Sequence, residues 1–149
     1  MSAPAKILLA HDFSQPAGAA LAAALGLART FAAELDVVHV LPRRLELLSP
    51  YEVQLPEPLL REFREEARRK LEPILEELRS AGLRGEAHLR EGDPARAIAD
   101  EAGRIGADLI VMGTRGHTGL KHLLLGSVAE RTHRIAPCPV LSVPAPEHP

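Results

Sequence analysis

The sequence predicts a doubly wound α/β domain built on a five-stranded parallel sheet, and three observations carry that reading. Short, mostly apolar runs recur along the chain, among them KILLA at Lys6 to Ala10, LDVVHV at Leu35 to Val40, LIVM at Leu109 to Met112 and VLSV at Val140 to Val143. Segments of helical length alternate with them. LIVM has no polar member, which is the pattern of a strand covered on both faces. Strands that alternate with helices need crossover connections, and these are right-handed when both strands lie in one sheet.

Lys6 to Ala10 reads as the first strand. Ser14 then offers a helix cap, Pro16 suits the first turn, and an Ala/Leu-rich helix runs to about Ala33. Leu35 to Val40 is β-branched and apolar, hence the second strand; Leu41 to Pro58, with four prolines and little periodicity, reads as a long loop. From Leu59 to about Ala81, Leu60, Phe63, Ala67, Leu71, Ile74, Leu75 and Leu78 recur at spacings of three and four, so this is an amphipathic helix. Pro73 lies inside it and predicts a kink or a break near Glu72. Gly85 to Arg90 makes a more polar third strand, and Gly92-Asp93-Pro94 opens a helix that ends near Ile105. Leu109 to Met112 is the fourth strand, Ser127 to Ile135 a helix, and Val140 to Val143 the fifth strand.

A chain of 149 residues suits one domain, 1–149. Hydrophobic residues at 46% and charged residues at 26% exclude a disordered or fibrous chain. Eighteen basic residues against twenty acidic ones leave a formal charge of −2, too balanced for a general nucleic-acid binder. Cys138 is the only cysteine, so neither an internal disulfide nor a sulfur-based metal site can form, and a reducing, cytoplasmic setting is expected. No stretch is long and apolar enough for a membrane span.

In an open parallel sheet, ligands bind beyond the carboxyl ends of strands where neighbouring connections diverge. Ala10-His11-Asp12, Val40 and Met112-Gly113 end three strands here. Gly113 and Gly116 allow positive φ and close approach of a ligand to the main chain, while Gly126-Ser127 starts a helix whose free N–H groups attract anions. Taken singly, each glycine reads better as a turn in a surface loop, while Asp12 has support for the helix that follows it as its lesser alternative. Neither GxxxxGK[ST] nor GxGxxG occurs. His117 and His122 lack a third metal ligand and read as surface residues, His39 as a satisfied core or sheet-face histidine and Cys138 as a small buried apolar group. No metal site and no catalytic residue is expected.

The glycines fall instead as G-x2-G-x9-G-S at Gly113, Gly116, Gly126 and Ser127, after an apolar strand and before APCPVLSVP. With KILLAHDFS, DVVHV and EGDPARAI upstream, this block resembles the universal stress protein (UspA-like) family, and specifically its ATP-binding branch. The resemblance implies a Rossmann-like fold of the adenine nucleotide alpha-hydrolase kind with strand order 3-2-1-4-5, and it covers nearly the whole chain. It implies that Ala10, His11, Asp12 and Val40 surround base and ribose, that Met112 and Gly113 run along the nucleoside, and that Arg115, Gly116, Gly126, Ser127 and Val128 hold the phosphates of ATP or ADP. Mg²⁺ or Mn²⁺ would be held mainly by those phosphates. Ala129 departs from the pattern, because phosphate-binding relatives often carry Ser or Thr there.

The expected function is a nucleotide-dependent stress-response sensor or adaptor with an unidentified protein partner and at most slow ATP hydrolysis. A weak ATPase or phosphotransferase, and a nucleotide-free interaction module, are the alternatives. The apolar fifth strand is the final edge of the sheet, and pairing through Val140 to Val143 predicts a homodimer.

Overall fold

The computed structural model describes residues 2–43, 54–115 and 125–146. Among the described residues the elements run β1 (Lys6–Ala10), α1 (Gln15–Phe31), β2 (Glu34–Leu41), α2 (Glu57–Ser80), β3 (Ala87–Glu91), α3 (Pro94–Ile105), β4 (Leu109–Gly113), α4 (Ser127–Ile135) and β5 (Val140–Val143). All the strand pairs are parallel, and the sheet order is β3-β2-β1-β4-β5. The predicted fold class is therefore the observed one.

Alternation along the strands divides the core in two. Ile7 and Leu9 of β1 and Leu35 and Val37 of β2 face α1 and α2, where Ala20, Ala24, Ala28, Leu71, Ile74 and Leu78 meet them. Leu8, Ala10, Val38, Ile110 and Met112 face α3 and α4, through Ile98, Ala102 and Ala129. Both helices that connect β1 to β2 to β3 thus lie on one face and both that connect β3 to β4 to β5 on the other. The winding direction reverses between β1 and β4, which opens the crevice at their carboxyl ends.

The helix starts carry the expected caps. The Ser14 hydroxyl accepts from the Ala17 N–H at 3.3 Å and the Asp93 carboxylate accepts from the Arg96 N–H at 3.2 Å. Of the kink or break expected near Glu72, the break does not occur: α2 runs continuously from Glu57 to Ser80. Buried Leu71, Ile74 and Leu78 flank the proline and hold both halves of the helix on the same core, which offsets the backbone hydrogen bond that proline forgoes. The loop reading over Leu41 to Pro58 is too wide at its ends, since Leu41 pairs with Glu91 in the sheet and α2 begins at Glu57. Residues 44–53 of it lie outside the described residues.

One polar cluster interrupts the second core face. The Asp36 carboxylate on β2 lies 2.7 Å from His88 Nε2 on β3 and accepts the Glu86 N–H at 3.1 Å. Glu101 on α3, only 2% exposed, lies 3.2 Å from His88 Nδ1, accepts from Arg90 Nε at 2.7 Å and pairs with Arg104. Burial pushes the Glu101 carboxyl up, but the hydrogen bonds from Arg104 and Arg90 outweigh it and hold the group below the ordinary carboxylate range.

Candidate functional site

β1 and β4 are neighbours, with Leu9 opposite Val111, so they leave the sheet at the same level. The chain after β1 folds back on itself. The His11 N–H donates to the Val38 carbonyl at 2.9 Å, extending the pairing to β2 by one residue. His11 Nδ1 accepts from the Phe13 N–H at 3.0 Å, and Asp12 Oδ1 accepts from both the N–H (3.0 Å) and the hydroxyl of Ser14. These side-chain caps hold Phe13 at φ 64°, a left-handed conformation rarely taken by a bulky residue. The Phe13 ring packs 4.4 Å from the His39 ring and 5.3 Å from that of His11, with Lys70 Nζ 5.4 Å from its centroid. His39 Nδ1 in turn lies 2.8 Å from the His11 carbonyl oxygen, so His39 is the expected sheet-face histidine.

His11 is 8% exposed, and its imidazole is lowered to about 4, chiefly by burial, with His39 adding to the effect and Asp12 opposing it. The unfolded chain, with an ordinary histidine value near 6.5, binds the proton more readily than the folded one. Stability contributed by neutral His11 is therefore full above about pH 6.5 and is lost as the pH falls from there toward 4. Urea titrations at pH 6.5 and 5.5 are expected to show a loss of about 1 kcal/mol from this group. A His11→Gln variant is expected to flatten that slope, and an unchanged slope contradicts the assignment.

The other side of the crevice is built from β4 and α4. Gly113 ends β4, and a Cβ on it would lie 2.9 Å from Pro16 Cβ in the first turn of α1. Its φ is not positive, contrary to the expectation, so what demands glycine here is the close passage of α1 rather than backbone freedom. Gly126 caps α4 in an extended conformation, φ −73° and ψ 165°, with no capping side chain, and its N–H donates to the Thr114 carbonyl. A Cβ on Gly126 would come within 3.1 Å of Thr114 O and 3.3 Å of Arg115 Cα. Ser127 opens α4 exposed, Val128 is half-buried against the second core face, and Ala129 is buried in it.

Gly113, Thr114 and Arg115 are thus gathered beside Gly126, one strand away from Ala10, His11 and Asp12. Ala10 and Met112, 8% and 5% exposed, commit their side chains to the core and leave only main chain to the crevice. Val40 is half-buried at the end of β2. Arg115 is half-buried; Gly116, His117 and His122 lie outside the described residues. Cys138 is half-buried rather than buried, and burial pushes its thiol up, away from the reactive thiolate. The left-handed Phe13 and the contact between Pro16 and Gly113 had no signal in the sequence, because each depends on how two segments pass one another. Among the described residues, no helix is long and apolar enough to cross a membrane.

Residues 5–144 match the Universal stress protein family. Universal stress protein YxiE of Bacillus subtilis is 36% identical over 144 residues, covering 93% of this chain and 97% of its own. The solved structure of hypothetical protein MJ0577, from Methanocaldococcus jannaschii, has a TM-score of 0.86 at 32% identity and covers 99% of this chain and 100% of that one. The universal stress protein from Archaeoglobus fulgidus solved in complex with dAMP has a TM-score of 0.68 at 26% identity, covering 95% of this chain and 99% of that one. With a match along almost its whole length and the same sheet topology, the chain belongs to the universal stress protein family.

Proposed function

We propose that the chain binds ATP or ADP at the carboxyl ends of β1 and β4 and acts as a nucleotide-dependent sensor or adaptor in the stress response. The observation that carries the reading is the start of α4. Gly126, as the cap, supplies no side chain to the first amides of that helix, which lie next to the β4 exit and one strand from Asp12. The dAMP complex of the Archaeoglobus relative supports an adenine nucleotide as the ligand class.

In this reading the main chain of Ala10 and Met112, with His11 and Val40, receives the base, and Asp12 accepts from ribose hydroxyls. Gly113 and Arg115 lead from the nucleoside to the phosphates, which Gly116, Gly126, Ser127 and Val128 receive. The phosphates and bound water hold any Mg²⁺ or Mn²⁺. The Ala129 methyl is buried and offers no hydroxyl, so phosphate recognition falls to main-chain amides and Ser127. Turnover is slow, because Asp12, the carboxylate of the β1 exit, is committed through Oδ1 to Ser14 rather than to orienting water. The protein works in the cytoplasm as a homodimer paired through Val140 to Val143, where Leu141 is 40% exposed on the edge strand.

Calorimetric titration with ATP and Mg²⁺, together with the mass of any small molecule released on denaturation, tests this reading. Binding is expected, weakened about tenfold in Asp12→Ala by loss of a hydrogen bond to a charged group. A flat titration with no released nucleotide favours an interaction module. Rapid phosphate release abolished by Asp12→Ala, with binding kept, favours an ATPase.

A further inference from the structure

α3 and α4 each follow a parallel strand, so both begin at the end of the sheet where the crevice lies. Asp93, the cap of α3, does more than cap. Its Oδ1 accepts from Arg131 Nη1 and its Oδ2 from Arg131 Nη2, each at 2.7 Å, a two-bond fork between the start of α3 and the body of α4. The Arg131 guanidinium holds the Asp93 carboxyl below the ordinary carboxylate range. Both side chains are about half exposed, and exposed pairs contribute little to stability, so the fork is a poor candidate for holding the fold together.

Its geometry gives it another use. Arg131 lies four residues after Ser127, on the same face of α4 and one turn further along. A planar, two-bond contact restrains rotation as well as distance. α4 has only nine residues, and its buried anchors, Ala129 and Thr132, face the core. The fork acts on the other side, where it fixes the angle at which Ser127 and the first amides meet the crevice.

Resting on the nucleotide reading above, we propose that the Asp93–Arg131 fork is a positioning device for the phosphate end of the site, setting the rotation of α4 so that the protein favours a polyphosphate ligand over the bare nucleoside. Neither residue touches the nucleotide. The fork contributes by aiming groups that do.

The test compares ATP with adenosine by calorimetry on the full chain. Asp93→Ser keeps a good helix cap but is too short to reach Arg131, and Arg131→Gln leaves the cap untouched. Each is expected to weaken ATP about 3- to 5-fold, the most that a half-exposed ion pair can transmit, while adenosine changes less than about twofold. The double variant is expected to lose no more than either single one, because the two act as a unit. If the fork matters only through charge, Asp93→Ser removes a negative group and tightens ATP, and that result overturns the proposal. So does unchanged ATP affinity, or an equal loss for adenosine. A wild-type chain that binds no ATP sinks the nucleotide reading itself, whereas a wild-type chain that binds ATP with both variants indistinguishable from it sinks only the fork. Should Asp93→Ser fail to fold, Arg131→Gln carries the same comparison.

Discussion

Gly126→Val is expected to abolish measurable ATP binding while leaving the protein folded. The backbone at Gly126, φ −73° and ψ 165°, is open to any residue, so conformation is not what excludes valine. Space is. A Cβ would stand 3.1 Å from Thr114 O and 3.3 Å from Arg115 Cα, both main-chain atoms that cannot swing aside, and valine adds two methyl groups beyond it. The start of α4 must then separate from the 114–115 strand exit, and the amides proposed to receive the phosphates go with it. Hydrogen bonds to charged groups are worth about 1.5 to 3 kcal/mol each, so losing two or three corresponds to at least a hundredfold in affinity. Gly126→Ala, with a single added methyl, is expected to lose part of that. Calorimetry with ATP measures the loss, and thermal unfolding checks the fold. Wild-type affinity in Gly126→Val contradicts the role given to this helix start.

Glu101→Ala is expected to destabilise the protein by about 1.5 to 3 kcal/mol, because it strips the buried carboxylate that a buried histidine and two half-exposed arginines share. Three groups converge on that carboxylate: Arg90, Arg104 and His88. Removing it leaves cations beside Asp36 and His88 with a cavity where a buried side chain stood. The lost contribution is also pH-dependent. A carboxyl held below its ordinary value stabilises the fold fully above the ordinary carboxylate range, and that stabilisation is lost as the pH falls through its folded value. Urea denaturation at neutral pH measures the first effect. A change under about 1 kcal/mol would show that the cluster is dispensable.

The elements most legible in the sequence were those whose burial and length agreed. KILLA and VLSV begin and end at the predicted residues, and α4 runs over the predicted Ser127 to Ile135. β2 is longer than its apolar run because pairing rather than hydrophobicity extends it: Glu34 joins opposite Lys6 and Leu41 opposite Glu91. β3 starts later than predicted because Gly85 passes under β2, where a Cβ would sit 1.7 Å from the Leu35 carbonyl oxygen, before regular pairing begins. At the crevice, the motif spacing named the segments, but the reasons for particular residues came from three-dimensional contacts. Gly113 reads from sequence as a ligand's glycine, and the structure adds a second demand for it, the close passage of Pro16. The cluster of Asp36, His88 and Glu101 draws on three elements, and Asp93 and Arg131 are 38 residues apart, so no local pattern could announce either.

The three residues 113–115 are braced on two sides. α1 presses on them through Pro16 at Gly113, where a methyl group would not fit without a shift, and α4 presses through Gly126 at Thr114 and Arg115, where a methyl group would need the neighbouring backbone to give slightly. Pro16 lies two residues beyond Ser14, which the Asp12 carboxylate holds. A pull on the leading end of α4 therefore levers against the same short fulcrum that seats the first turn of α1. Under the proposed nucleotide reading, the sugar and phosphate ends of the site would be joined through this braced backbone rather than through a chain of side chains.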